Sequence, residues 1–218
     1  MRWRLLDGVP EDIVAKTLAL ARRRTFARDE VVFHEADPGD CVHLIESGRV
    51  AVRVATSHGQ RATLAVLGSG EAFGELALLS PEARRTASIV ALEATVTLSI
   101  HEADFRRLRV DRPEVAEVLI VLLTVQVRRL SAQLLDALYV PAEARVRKRL
   151  LELAAAYAPD DGGEVVVPLR QEDLAELAGT SRATVNRVLR EDAQRGAVRL
   201  ERGRTVVLDP ETVARYVW

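Results

Sequence analysis

Cysteine is nearly absent. A single thiol, Cys41, occurs in 218 residues, which excludes an intramolecular disulfide framework and a multi-cysteine zinc or iron–sulfur site. It fits a reducing cytoplasm. Long apolar runs are lacking too: the longest is Val118 to Leu123, far short of the roughly 20 residues that span a bilayer. Met1 to Leu6 is short and carries Arg2 and Arg4, so no signal peptide is expected. Net charge is also missing. Thirty-one bases oppose 32 acids, for a balance of −1, so any nucleic-acid site must be local. Lysine occurs only at Lys16 and Lys148. His34, Cys41, His43, His58 and His101 show no zinc spacing, and no metal is expected. No acid–base pair, nucleophile elbow or phosphate-transfer loop stands out, so no enzyme is expected. Asp160-Asp161 reads as part of a Gly-rich turn.

What is there is an ordinary globular composition, 48% hydrophobic, long enough for one large or two modest domains. Glu11 to Arg23 reads as an amphipathic helix. From Val31 short β segments alternate with turns: Val31–Phe33, Val42–Ile45, Val50–Val54, Ala62–Leu67, Ser88–Ala91 and Thr95–Ile100. Asp37-Pro38-Gly39-Asp40, Ser47-Gly48 and Ser57-His58-Gly59-Gln60 supply turn chemistry. Such spacing points to a barrel or roll. Asp104–Arg109 is a short helix. Asp111-Arg112-Pro113 then opens a long one, to about Leu138. Within it Ala116, Ile120, Leu123, Val127, Leu130, Leu134 and Ala137 follow 4-3-4-3-4-3 spacing, a coiled-coil seam suited to pairing two copies. Tyr139-Val140-Pro141 breaks the run. The expected domains are therefore 1–110, 111–139 and 140–218, with an α+β fold class.

Two stretches carry chemistry. In the first, Gly74 permits close backbone approach to a ligand, and Glu75-Leu76-Ala77 begins a short helical turn whose free N–H groups suit an anion. Arg85 offers a planar donor fork for phosphate, and Thr86 adds a hydroxyl. Glu75 fits an anion site only by accepting from a sugar hydroxyl on the same ligand. In the second, Gln171 to Ala178 and Arg182 to Arg190 read as two helices joined through Gly179, with Thr180 or Ser181 as cap. Leu174, Ala175, Leu177, Val185, Val188 and Leu189 supply the inner faces. Arg182, Asn186, Arg187 and Arg190 occupy outer faces. That is the form of a helix-turn-helix, whose second helix enters a major groove. A following hairpin with Arg202 and Arg204 at its tip reads as a wing. From Val140 onward acids match bases, yet Ser181 to Arg190 holds three arginines and no acid.

The first stretch resembles the phosphate-binding cassette of cyclic-nucleotide-binding domains, over most of residues 25–108. The second resembles the winged helix-turn-helix of the catabolite activator/Fnr superfamily of transcriptional regulators. Its pattern Gln-x-(Asp/Glu)-Leu-Ala-x-Leu-x-Gly-x-Ser-Arg-x-Thr-Val is met from Gln171 to Val185. The resemblance implies a double-stranded β-roll, a long dimerisation helix and a C-terminal winged domain. It implies that Gly74, Glu75, Leu76, Ala77, Arg85 and Thr86 hold the cyclic phosphate and ribose, with Val52, Leu64 and Leu67 as apolar walls. The base would meet Leu130 and Ser131, where cyclic-AMP receptors carry a Thr-Ser pair. Leu130 cannot hydrogen-bond a purine. The implied effector is a cyclic nucleotide, cyclic AMP ahead of cyclic GMP. No other cofactor is implied. The implied DNA-contacting set is Gln171, Thr180, Ser181, Arg182, Ala183, Thr184, Asn186, Arg187, Arg190, Arg202 and Arg204, on a two-fold operator with half-sites ~34 Å apart. Ala183 stands where the superfamily commonly has a Glu that accepts from cytosine, so an altered preference at that base pair is expected. The implied partners are a second copy, DNA and RNA polymerase, in the cytoplasm, with no membrane. Two alternatives remain at this point: a DNA-binding regulator active without nucleotide, and an enzyme or kinase regulatory subunit on the same sensor fold.

Overall fold

The computed structural model describes residues 3–55, 59, 61–79, 82–159 and 164–217. The expected turn at residues 57–60 lies outside that set except for Gly59, as do residues 160–163 of the expected Gly-rich loop. The chain forms two compact units, residues 1–59 with 64–129 and residues 60–63 with 130–218.

The first unit opens with a 3-10 turn, Arg4–Leu6, and helix α1, Glu11–Leu20. Eight strands follow: β1 (Arg22–Phe26), β2 (Val31–Phe33), β3 (Cys41–Ser47), β4 (Val50–Ala55), β5 (Arg61–Leu67), β6 (Ala72–Phe73), β7 (Ser88–Ala91) and β8 (Thr95–His101). Helix α2, Glu75–Leu79, sits between β6 and β7. The strands form two four-stranded sheets, ordered β1-β8-β3-β6 and β2-β7-β4-β5. Ile45 and Phe73 of one sheet share a buried core with Val50 and Ile89 of the other, so the sheets pack face to face as a roll. A second core gathers Trp3, Leu5, Val42, Leu44 and Ile100 with Phe105 and Leu108 of α3, Glu102–Asp111. Helix α4, Pro113–Tyr139, enters that core through Val115 and Leu119.

In the first unit the start of the chain differs from the sequence expectation. The first helix ends at Leu20, and Arg22–Phe26 is an edge strand paired with β8. Arg22-Arg23-Arg24 has neither helical nor alternating apolar periodicity, so only pairing to β8 reveals it. Helix α4 has the opposite character. It is long and apolar enough to cross a membrane by length and composition, which a count of unbroken apolar runs understates. Its apolar residues are spaced as a stripe, and Ile120, Val127, Leu134 and Leu138 are each at least 60% exposed.

The second unit holds α5 (Ala142–Tyr157), β9 (Val165–Val167), α6 (Gln171–Ala178), α7 (Arg182–Gln194), β10 (Val198–Glu201), β11 (Arg204–Val207) and α8 (Pro210–Ala214). Val146, Leu150, Leu174, Val185, Val188, Leu189, Val206 and Val213 are buried. The sheet order is β10-β11-β9, a hairpin with one added strand. Helix α8 escaped the sequence reading, although Asp209 accepts from the Thr212 N–H at 3.0 Å and Pro210 opens the helix, a regular start signal.

Candidate ligand cradle and nucleic-acid interface

Gly74 lies at φ +89° between β6 and α2, and a Cβ there would stand 2.7 Å from Arg85 Nη1. Glycine is thus required twice, for its backbone conformation and for the approach of Arg85. Arg85 is buried at 4% exposure. Its Nη1 donates to the Cys41 carbonyl at 2.8 Å and the Gly74 carbonyl at 3.0 Å, and Nη2 donates to Asp40 Oδ1 at 3.2 Å. The guanidinium lies 4.0 Å from the centroid of Phe33, a cation–π contact. The sequence reading has the whole fork facing a ligand. Instead its two terminal nitrogens are held by protein, and Nε is buried with no partner. Glu75 Oε2 is likewise buried without a hydrogen bond, and burial pushes its carboxyl above the usual range. Orphaned buried polar atoms are rare and costly. Arg85 Nε and Glu75 Oε2, one donor and one acceptor, border the same cavity.

That cavity is open to solvent at its mouth. Val52, Leu67, Gly74, Glu75, Leu76, Ala77, Arg85 and Thr86 line it. Leu64 does not, nor do Leu130 and Ser131, which belong to the second compact unit. From α4 the lining residues are Leu119, Leu122, Leu123, Val125, Gln126 and Arg129. Gln126 and Arg129 escaped the sequence reading. Helical spacing from Leu119 through Leu122 to Gln126 and Arg129 was the available signal.

Beneath the cradle, Cys41 and His43 are structural. Burial first, then Asp40, pushes the Cys41 thiol up to about 11, so it stays protonated. His43 is pushed down to about 4, chiefly by burial and then by Arg85. Its ring stacks 4.9 Å from Phe73, and Nδ1 lies 3.0 Å from Thr97 Oγ1. Asp40 is held below the usual carboxylate range, first by its hydrogen bond with the Cys41 thiol. Among the described residues no three His, Cys, Asp or Glu are grouped to hold a metal ion.

In the second unit Gly179 ends α6 in the left-handed region at φ +58°, and the Thr180 N–H returns to the Ala175 carbonyl at 3.0 Å. Ser181 is the cap of α7, accepting from the Thr184 N–H at 3.1 Å. The inter-helix turn is therefore closed by the residues the sequence singled out. Arg182, Ala183, Arg187 and Arg190 are exposed on α7, and Arg202 and Arg204 on the hairpin tip. They are not equally available. The side chains of Arg182, Arg190 and Arg202 carry no hydrogen bond or ion pair to another described residue. Arg187 donates to Glu143 at 2.5 Å and Glu191 at 2.9 Å. Arg204 pairs with Glu201. Asn186 Nδ2 donates to Gln171 Oε1 at 3.0 Å. Arg145, missed in the sequence, donates to the carbonyls of Val140, Ala178 and Gly179 and so satisfies the end of α6.

The cyclic nucleotide-binding domain family matches residues 23–111, and the Crp-like helix-turn-helix domain family matches residues 144–216. The chain is 33% identical over 213 residues to a CRP-like cAMP-activated global transcriptional regulator of Mycobacterium tuberculosis, covering 97% of this chain and 95% of that one. It is 37% identical over 199 residues to the cyclic AMP receptor protein of Thermus thermophilus, covering 91% and 89%. The solved structure of the Thermus thermophilus catabolite activator protein aligns at 35% identity and a TM-score of 0.56, over 99% of this chain and 100% of that one.

Proposed function

Because the chain belongs to the Crp/Fnr family of DNA-binding transcriptional regulators, we propose that it is a homodimer gated by a cyclic nucleotide. One observation carries this reading: Arg85 Nε and Glu75 Oε2 are a buried donor and a buried acceptor with no protein partner, both at the edge of one cavity. A cyclic phosphate takes the donor, and a ribose hydroxyl takes the acceptor. Both buried atoms are then satisfied by one ligand. The similar proteins of Mycobacterium tuberculosis and Thermus thermophilus are named for cyclic AMP, which supports the cyclic phosphate and ribose as the shared portion. The exposed stripe Ile120, Val127, Leu134 and Leu138 supports pairing of two α4 helices. Residues 1–110 act as sensor, 111–139 as the dimer helix and 140–218 as reading head. Arg182, Arg190 and Arg202 supply the DNA contacts, and Leu130 and Ser131 take part in the dimer seam. RNA polymerase is the downstream partner and the cytoplasm the location.

Ligand binding selects one arrangement of the dimer and shifts the population toward it. The test is operator binding by the full chain with and without nucleotide, beside Arg85→Lys. Lysine keeps the charge and loses the fork. A loss of about a hundredfold or more in nucleotide affinity is expected. Equal operator affinity with and without nucleotide identifies instead a regulator that works unliganded, a reading favoured by the protein partners Arg85 already has.

A further inference from the structure

The bases of α5 reach in three directions, and all the partners lie in the second unit, which begins within α4 at Leu130. Arg145 holds the Ala178 and Gly179 carbonyls at the end of α6 and the Val140 carbonyl at the break between α4 and α5. Arg147 Nε meets both carboxylate oxygens of Asp192 on α7, at 3.1 and 3.0 Å. Lys148 and Arg149 turn the other way, to Asp136 in the last turn of α4. Lys148 Nζ lies 2.8 Å from each Asp136 oxygen, and Arg149 Nη2 donates to Oδ2 at 3.0 Å. Burial here is inverted. Among the described residues 130–139, Asp136 alone is buried, whereas Leu130, Leu134, Leu135 and Leu138 are exposed. An apolar contact would let α5 tilt on α4. A buried carboxylate shared by two cations does not, because a shift leaves a buried charge without its counterion.

We propose that Asp136 is a positioning residue for DNA recognition. It fixes the angle at which α5 leaves the end of α4, and with α5 the helices α6 and α7 that Arg145 and Arg147 hold. The break at Tyr139-Val140-Pro141 is then a locked elbow and not a free joint. The proposal rests on the homodimer reading. The angle at the elbow matters to DNA through the separation of two reading heads, whose half-sites lie about 34 Å apart. A single head on a single half-site is indifferent to it.

Binding of the full chain to two duplexes tests this: the two-fold operator recovered by selection, and a short duplex carrying one half-site. Asp136→Asn keeps the shape and one acceptor oxygen and removes the charge. It is expected to bind the two-fold operator about tenfold more weakly, and the half-site within about twofold of wild type. Asp136→Glu, which keeps the charge, is expected to recover part of the lost operator affinity. Lys148 is partly exposed, so Lys148→Met leaves the Arg149 pair and the fold in place. A smaller loss of the same kind is expected from it. Equal weakening on both duplexes overturns the proposal, since Asp136 then only holds the reading head together. Wild-type affinity of Asp136→Asn and Lys148→Met for both duplexes overturns it too, and leaves the homodimer reading standing. A wild-type protein with no preference for the two-fold duplex over the half-site overturns the homodimer reading and this role with it.

Discussion

The two compact units handle charge in opposite ways. In the sensor, Arg85 and Glu75 are inside, and each keeps one polar atom without a partner. In the reading head, charge on α7 and the hairpin tip is outside, and much of it is already neutralised: Arg187 by Glu143 and Glu191, Arg204 by Glu201. Unmet hydrogen bonds cost most where water is excluded, so a buried orphan is a strong pointer to a ligand. An exposed ion pair is worth little and is readily exchanged for phosphate. On the proposed function, affinity for DNA depends on how many arginines are free to be exchanged, and affinity for an effector on how few partners the cradle supplies.

The interior of the reading head is the exception within its own unit, and it gives the largest expected effect. Asp192 is 1% exposed and accepts from Arg147 Nε at 3.0 Å and Arg195 Nη1 at 2.9 Å, with Tyr216 4.1 Å from the Arg195 guanidinium. Asp192→Ala leaves Arg147 buried without its main partner and is expected to destabilise by about 3–5 kcal/mol. Denaturant melts measure it. A loss below ~1 kcal/mol would show that Glu191 alone can hold Arg147.

His43 makes the sensor the acid-sensitive unit. Its folded value of about 4 lies below the ordinary 6.5, so the unfolded chain binds the extra proton between those pH values. Stability is then fully present above about pH 6.5 and falls as the pH drops toward 4, by about 3 kcal/mol at 1.36 kcal/mol per unit. The slope of unfolding free energy against pH checks it. His43→Gln is expected to flatten that slope while lowering stability at neutral pH. An unchanged slope assigns the acid sensitivity elsewhere.

The smallest effect concerns the surface pairs. Glu143→Gln removes one of the two carboxylates on Arg187 and frees that arginine for backbone phosphate. Operator affinity is expected to rise a few-fold, and the slope of log affinity against log salt to steepen by about 1. Salt titrations of wild type and variant give the slope. No change would mean that Arg187 does not reach DNA in either protein.

Much of this architecture could be read without coordinates. Short strands between Gly and Pro turns, Pro113 opening a long helix, and Gly179-Thr180-Ser181 between two apolar-faced helices are all local signals, and they recur in the structure. What escaped is equally specific. Arg22–Phe26 is a strand only because β8 pairs with it. Gln126 and Arg129 enter the cavity only because Val115 and Leu119 dock the first half of α4 into the sensor core. Arg147-Lys148-Arg149 is a run of bases, yet Arg147 and Arg149 are both buried, held by Asp192 and Asp136.

By itself, then, the sequence determined most of the order of elements and the presence of a cyclic nucleotide-binding domain and a helix-turn-helix, because periodicity, caps and turn residues act within a few positions of one another. Only the tertiary structure decided which polar atoms were left over. Whether Arg85 offers a fork or a single N–H, and whether Arg187 is free or held, depends on residues about 45 positions apart in the chain that meet only when it folds. Hydrogen-bond satisfaction is a sum over neighbours in space, and no local pattern contains that sum.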